Sequence, residues 1–158
     1  MGLNEIIEIL GVRITKSPIE IDEYFKVHIL FEIKKQLKER IKINFIYVQS
    51  PDDNNKDQEL EVYEIPGDRL GKFKVNFSVN PPSFHFSENL DSFGITLFLI
   101  QFGYKKHEFT RVGYYVNNEL NGPVERDSER NLFVKTKFIQ RNILIDEPRV
   151  TKFFHEFK

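Results

Sequence analysis

The 158-residue chain contains no cysteine, no tryptophan and no alanine. Without cysteine there can be no disulfide, no thiolate nucleophile and no cysteine zinc site, and a reducing intracellular compartment is the simplest setting. Without alanine the strongest helix former is missing, whereas sixteen Phe and six Tyr supply side chains that fit a pleated, half-buried surface. No apolar run approaches the roughly 20 residues needed to span a bilayer. Residues 1–9 carry Glu5 and Glu8 and lack the basic start and small-residue cleavage site of a secretory signal. A soluble intracellular protein with no membrane contact is expected. Net charge is −1, which argues against direct nucleic-acid binding, since that role needs a clear positive surplus.

Catalytic signatures are missing as well. His28, His85, His107 and His155 are scattered, with no i, i+4 partner and no carboxylate at zincin spacing. Gly67-Asp68-Arg69-Leu70-Gly71 lacks the lysine and following helix of a phosphate loop, and no nucleophile elbow occurs. The expectation is a non-enzymatic protein with no metal and no cofactor.

What the chain does have is strands. Residues 24–33, 41–48 and 73–79 alternate apolar and polar side chains, and the stretches 93–104 and 107–118 form a hairpin around Lys105-Lys106. Turn chemistry separates them at Lys16-Ser17-Pro18, at residues 50–55, at Pro66-Gly67-Asp68 and at Asn80-Pro81-Pro82. Residues 121–131 read as a polar, mobile loop, 133–144 as room for a short helix, and 149–157 as a terminal strand. Regular strand spacing with polar turns predicts one all-β domain over 1–158, a β-sandwich with short helical segments in its loops. Charge is unevenly placed: Lys34, Lys35, Lys38, Arg40 and Lys42 precede an acidic stretch holding Asp52, Asp53, Asp57, Glu59, Glu61 and Glu64. Two readings stand, a dipolar surface that steers a charged partner or two solvated loops of opposite sign.

One strand breaks the sandwich rule of a single apolar face. Residues 93–102 place Ile95, Leu97 and Leu99 on one side and Thr96, Phe98, Ile100 and Phe102 on the other. If the second set fills the core, the first forms an outer apolar stripe, a feature of partner sites; the alternative is a cover supplied by the chain itself. The next strand would add Arg111, Gly113, Tyr115 and Asn117 to one face, and Arg and Tyr are enriched at binding hot spots.

At this hairpin a family resemblance becomes specific. Glu108-Phe109-Thr110-Arg111-Val112-Gly113-Tyr114-Tyr115-Val116-Asn117-Asn118-Glu119 resembles the signature of the anti-silencing-function histone chaperones. Gln140-Arg141-Asn142-Ile143-Leu144 and Pro148-Arg149-Val150-Thr151-Lys152-Phe153 resemble its C-terminal segment, and Tyr47-Val48 and Asp57-Gln58-Glu59-Leu60 match upstream, all in order. The resemblance implies an immunoglobulin-like sandwich, monomeric when free, acting in the nucleus in nucleosome assembly and disassembly. It would hold a histone H3–H4 dimer and block its tetramerisation. The histone H3 surface so implied is Val48, Asp57, Asp91, Ile95, Thr96, Leu97, Leu99, Arg111 and Tyr115. The histone H4 surface includes Pro148, Arg149, Val150 and Thr151.

The resemblance also implies a second site for basic motifs of other histone chaperones, here carried by Phe31, Glu39, Glu61 and Ile65. Of the acidic strand entry expected there, Lys38-Glu39-Arg40-Ile41-Lys42 keeps only Glu39, so a cationic motif would meet like charge. The acidic tail common in the family does not follow Lys158. A competing reading is a generic immunoglobulin-like adaptor that captures an unrelated peptide by edge-strand addition, which needs a free edge but no outer stripe.

Overall fold

The computed structural model describes residues 1–50, 57–83 and 94–158. Strict period-two burial explains its two main layers. In β3 (Phe25–Ile33) Phe25, Val27, Ile29, Phe31 and Ile33 are buried, while Lys26, His28, Leu30 and Glu32 turn outward. β1 (Ile7–Ile14) and β6 (Gly71–Val79) flank β3 antiparallel to form a three-stranded sheet.

The opposing sheet is larger. β2 (Ile19–Glu20), β11 (Ile139–Ile143), β8 (His107–Leu120), β7 (Gly94–Tyr104), β4 (Ile41–Val48) and β5 (Asp57–Ile65) follow one another across it, and β12 (Arg149–Lys152) pairs with β8 beside β11. β8 is long enough to serve two neighbours on one edge. Its residues 110–113 face β12 and 116–120 face β11. β9 (Val124–Arg126) and β10 (Leu132–Val134) make a separate two-stranded ribbon. Helix is confined to α1 (Leu3–Ile6) and a 3-10 turn at Thr136–Phe138. The architecture is an all-β, immunoglobulin-like sandwich.

Aromatic rings join the layers. Phe25 of the small sheet stacks on Phe98 of the large one at 4.3 Å between ring centroids. Phe77 meets Phe45 edge-on at 5.5 Å. The Tyr114 hydroxyl crosses the sandwich to donate to the Val12 carbonyl at 3.2 Å. Burial pushes this phenol up to about 12, so it stays a neutral donor across the physiological range.

Several expectations need correction. The short helix expected within 133–144 is a single 3-10 turn, Thr136–Phe138, flanked by strand on both sides and leading directly into β11. The polar stretch 121–131 is not an open loop, because its first half pairs with β10. Asp127 closes that ribbon, its Oδ1 accepting from the Glu129 and Asn131 amides at 2.9 and 2.8 Å. The terminal strand ends at Lys152, after which only a Gly2–Glu156 bridge remains. β5, whose charges concealed its alternation, is an edge strand of the large sheet. The hairpin turn is as expected, with Lys105 and Lys106 both at positive φ (49° and 68°), as a two-residue I′ connection requires.

Phe98 is fully buried at the contact of both sheets. Phe98→Ala is expected to cost about 3–5 kcal/mol of stability, the range for losing a large core aromatic. Equilibrium urea unfolding against the unmodified chain checks it.

Candidate functional site

The outward face of the large sheet is built from registered rows. Asp57 stands opposite Val48, Val48 opposite Leu97, and Leu97 opposite Tyr115. Cross-strand partners share a face, so these four residues form one line across four strands. In the adjoining row Leu99 lies opposite Gly113 and Gly113 opposite Arg149. A Cβ at Gly113 would come within 3.0 Å of Leu99 Cδ2, so the missing side chain lets Leu99 lie across β8. One row further stand Gln101, Arg111 and Thr151.

The stripe read from the sequence is an outer one. Phe98, Ile100 and Phe102 are buried, while Leu97 and Leu99 are half-exposed and Ile95 is 62% exposed. Thr96 corrects the list: it is fully buried on the core side, its hydroxyl donating to the Val116 carbonyl at 2.8 Å, and it presents no side chain outward. Val48 lies in the outer row but retains only 8% exposure. Asp91 lies outside the described residues.

Arg111 already has a partner that the sequence reading missed. Its Nε and one terminal nitrogen donate to the two oxygens of Glu108 at 2.9 Å each, and its guanidinium lies 5.4 Å from the Phe153 ring centroid. Arg149 repeats the motif over Tyr115 at 4.9 Å. The Arg149–Tyr115 contact ties β12 to the row that holds Leu97, and the Arg111–Phe153 contact ties the residue just beyond β12 to the Gln101 row.

Below this face lies Arg141, buried completely. It donates to the Tyr47 hydroxyl and to Asn118 Oδ1 at 3.1 and 3.3 Å, and sits 5.2 Å from the Tyr47 ring centroid. Burial lowers its pKa from the usual arginine value. Nothing in a single sequence distinguishes this arginine from a surface one.

β12 is an open edge. All four of its residues are exposed, Pro148 precedes it, and among the described residues only β8 pairs with it. The register fixes which backbone groups are free. The Phe153 amide donates to the Phe109 carbonyl at 3.0 Å, and antiparallel residues alternate between facing the neighbour and facing away. Thr151, two positions earlier and opposite Arg111, therefore turns its N–H and C=O toward β8. Val150 and Lys152 present theirs outward.

The four residues assigned to a second site do not converge. Phe31 and Ile65 line one cleft of about 400 Å³ with Phe73, Val75 and Arg69. Glu39 borders a different groove beside Arg40, Lys42 and Lys105. Glu61 is engaged elsewhere, accepting from the Tyr63 hydroxyl and the Asn80 amide at 2.5 Å each. The histidines are less scattered than the sequence suggests, since the His107 and His155 rings stack at 4.7 Å. No cluster of three or more metal-ligating groups occurs among the described residues, and no helix there is long and apolar enough to cross a membrane.

A family model described as "ASF1 like histone chaperone" matches residues 4–158. The chain belongs to this family. It is 34% identical over 151 residues to the probable histone chaperone ASF1A of Arabidopsis thaliana, covering 96% of this chain and 76% of that protein. It is 33% identical to the histone chaperone ASF1 of Saccharomyces cerevisiae, covering 94% of this chain and 53% of the relative. With the histone chaperone cia1 of Schizosaccharomyces pombe the identity is also 33%, over 94% and 58%. The chain thus spans between about half and three quarters of these relatives' lengths. The family is one of binding proteins, not enzymes, which agrees with the absence of catalytic motifs.

The ladder parity of β12 predicts an exchange pattern. Amides of Thr151 and Phe153 should be protected from hydrogen exchange, whereas those of Val150 and Lys152 should exchange near the unstructured rate. Residue-resolved exchange by NMR on the free chain checks this.

Proposed function

We propose that the chain is a nuclear histone chaperone that holds a histone H3–H4 dimer, blocks its tetramerisation, and acts in nucleosome assembly and disassembly. The observation that carries this reading is the single outer row of Asp57, Val48, Leu97 and Tyr115, continued by Ile95 and Leu99. An apolar stripe with a carboxylate at one end and an aromatic at the other suits a helix whose apolar face is edged with basic residues. Ile95, Leu97, Leu99 and Tyr115 would take the apolar contacts with histone H3. Asp57 and the Arg111–Glu108 pair would set register and association rate from the rim. Thr96 supports the floor from the core side.

The histone H4 contact would use β12. With Val150 and Lys152 offering outward backbone groups, an extended segment can add as one more strand. Val150 is 58% exposed and follows Pro148, so an apolar side chain of the added strand has somewhere to sit. Binding of a basic chaperone motif at the cleft of Phe31 and Ile65 is disfavoured, because Arg69 and Lys74 line that cleft against a single carboxylate, Asp68.

Leu97→Arg would place an unpaired charge in the centre of the stripe. Affinity for histone H3–H4 should fall by about 2 kcal/mol or more, roughly thirtyfold, with the fold intact. Calorimetry at physiological salt reads it. An adaptor that used only the free edge would bind its peptide unchanged in this variant, which separates the two readings. Val150→Pro removes an outward N–H and leaves the β8 ladder whole. It should weaken the strand contact by about 1 kcal/mol, roughly fivefold, while the Leu97 contact persists. Titration with an isolated histone H4 C-terminal peptide measures that loss.

A further inference from the structure

The small sheet also has an outward face, and its charge is sorted along the strands. At one end Glu8, Glu32 and Lys72 form a row, and Glu8 is joined to Lys34 at 2.8 Å. At the other end Arg13, His28 and Asn76 form a row, with Lys26 and Ser78 beyond it. Between them Leu30 stands with Gly11 on one side and Lys74 on the other.

The basic half encloses an open hollow of about 410 Å³, lined by Gly11, Arg13, His28, Leu30, Lys74 and Asn76 among others. No carboxylate lines it, although the chain carries 24 acidic residues against 23 Lys and Arg. Among the described residues, Arg13, Lys26 and Lys74 take part in no ion pair. Lys26 finds only the neutral Ser78 hydroxyl, at 3.0 Å, and the His28 Nδ1 is held by Asn76 Oδ1. The floor is apolar at Leu30, which is 37% exposed. The ladder shifts register between Ile9 and Gly11, and a Cβ at Gly11 would meet nothing within 4 Å. At that point the backbone itself is open to a ligand.

We propose that this hollow docks a short acidic segment of a partner protein, one with an apolar side chain set between carboxylates. Uncompensated cations around an exposed leucine, Leu30, are complementary to that pattern. Three strands span about 10 Å and three alternating rows about 14 Å, which accommodates four or five residues of extended peptide. Nucleic acid fits poorly, since the patch is small, its centre is apolar and the net charge is −1. This face is turned away from the large sheet, so such a segment could bind while the Leu97 face is occupied. The proposal stands independently of the histone reading.

The test is an amide-resolved NMR titration of the free chain at about 0.15 M salt, near the physiological screening length. The probes are a peptide with leucine at its centre and aspartate at every other position, the same peptide with asparagine replacing aspartate, and a short duplex DNA. Saturable shifts with the acidic peptide are expected at Gly11, Arg13, His28, Leu30, Lys74 and Asn76. Arg13→Glu combined with Lys74→Glu should weaken binding about tenfold or more, since like charge then faces the peptide. Both side chains are exposed, and an unchanged urea midpoint verifies the fold. If the double variant unfolds, Lys74→Gln alone should still weaken binding about threefold. Equal binding of the asparagine peptide, stronger perturbation of the same amides by DNA, or no shift on this face with the acidic peptide would each overturn the proposal.

Discussion

The antiparallel ladder between Gly94–Tyr104 and His107–Leu120 is the constraint on which both surfaces of the large sheet depend. Side chains alternate with a period of two, so a slip of one residue would bury Leu97 and Leu99 and expose Phe98 and Ile100. Three features prevent the slip. The Lys105-Lys106 turn sets the hairpin length, and two non-glycine residues held at positive φ mark how firmly the strands dictate it. Phe98 is anchored on Phe25 of the other layer. The bulge at Phe109, opposite Phe102 and Gly103, then absorbs the one residue by which the strands differ.

From that ladder the rest of the outer face follows. β8 carries β12 and β11 in succession along one edge, and so sets the position of every residue in both strands relative to Tyr115. Arg141 reinforces the same region from within. A buried cation with no carboxylate partner among the described residues is costly, and the hydroxyl and amide dipoles of Tyr47 and Asn118 offset only part of that cost. What such an arrangement gives in return is geometry. The ring of Tyr47 and the amide of Asn118 are held in one orientation, next in sequence to Val48 and Asn117 on the outer face.

Much of this was legible in the chain. The alternation in 24–33, 41–48 and 93–104 located the strands to within a residue or two, because one buried face leaves a clean period-two trace. The outer stripe was legible for the same reason. β5 was not, since an edge strand buries little of either face and its charged residues conceal the period. The ribbon of β9 and β10 escaped because polar composition there reflects a solvated hairpin, not the lack of one. Thr96 entered the list through the family resemblance and not through its place in the pattern, which had put it beside Phe98. The Glu108–Arg111 pair, three residues apart in a strand at a bulge, and the stacking of His107 on His155 are tertiary facts that linear spacing does not encode.

The two halves of the proposed histone site are not independent of one another. β12 is short, exposed along its whole length and tied to the sheet by a single ladder, so its own packing contributes little. Side-chain contacts add to that ladder: Arg149 lies over Tyr115, and just beyond the strand Phe153 meets Arg111 and its carbonyl accepts from the Asn4 side-chain amide at 2.9 Å. Cation–π contacts contribute about 0.5–1 kcal/mol each at exposed sites and more once desolvated. A strand added to the outer edge of β12 would order Arg149 and so fix the Tyr115 ring at the end of the Leu97 row. A helix laid on that row would exclude water from the Arg149–Tyr115 pair and thereby strengthen the hold on β12. Coupling of this kind is reciprocal by linkage, so each half of a two-part ligand would raise the affinity of the other by the same factor. A ligand presenting a helix and a strand together gains that factor in full, while either piece alone gains none of it. On the proposed reading, coupling of this kind would favour an intact histone H3–H4 dimer over its separate chains.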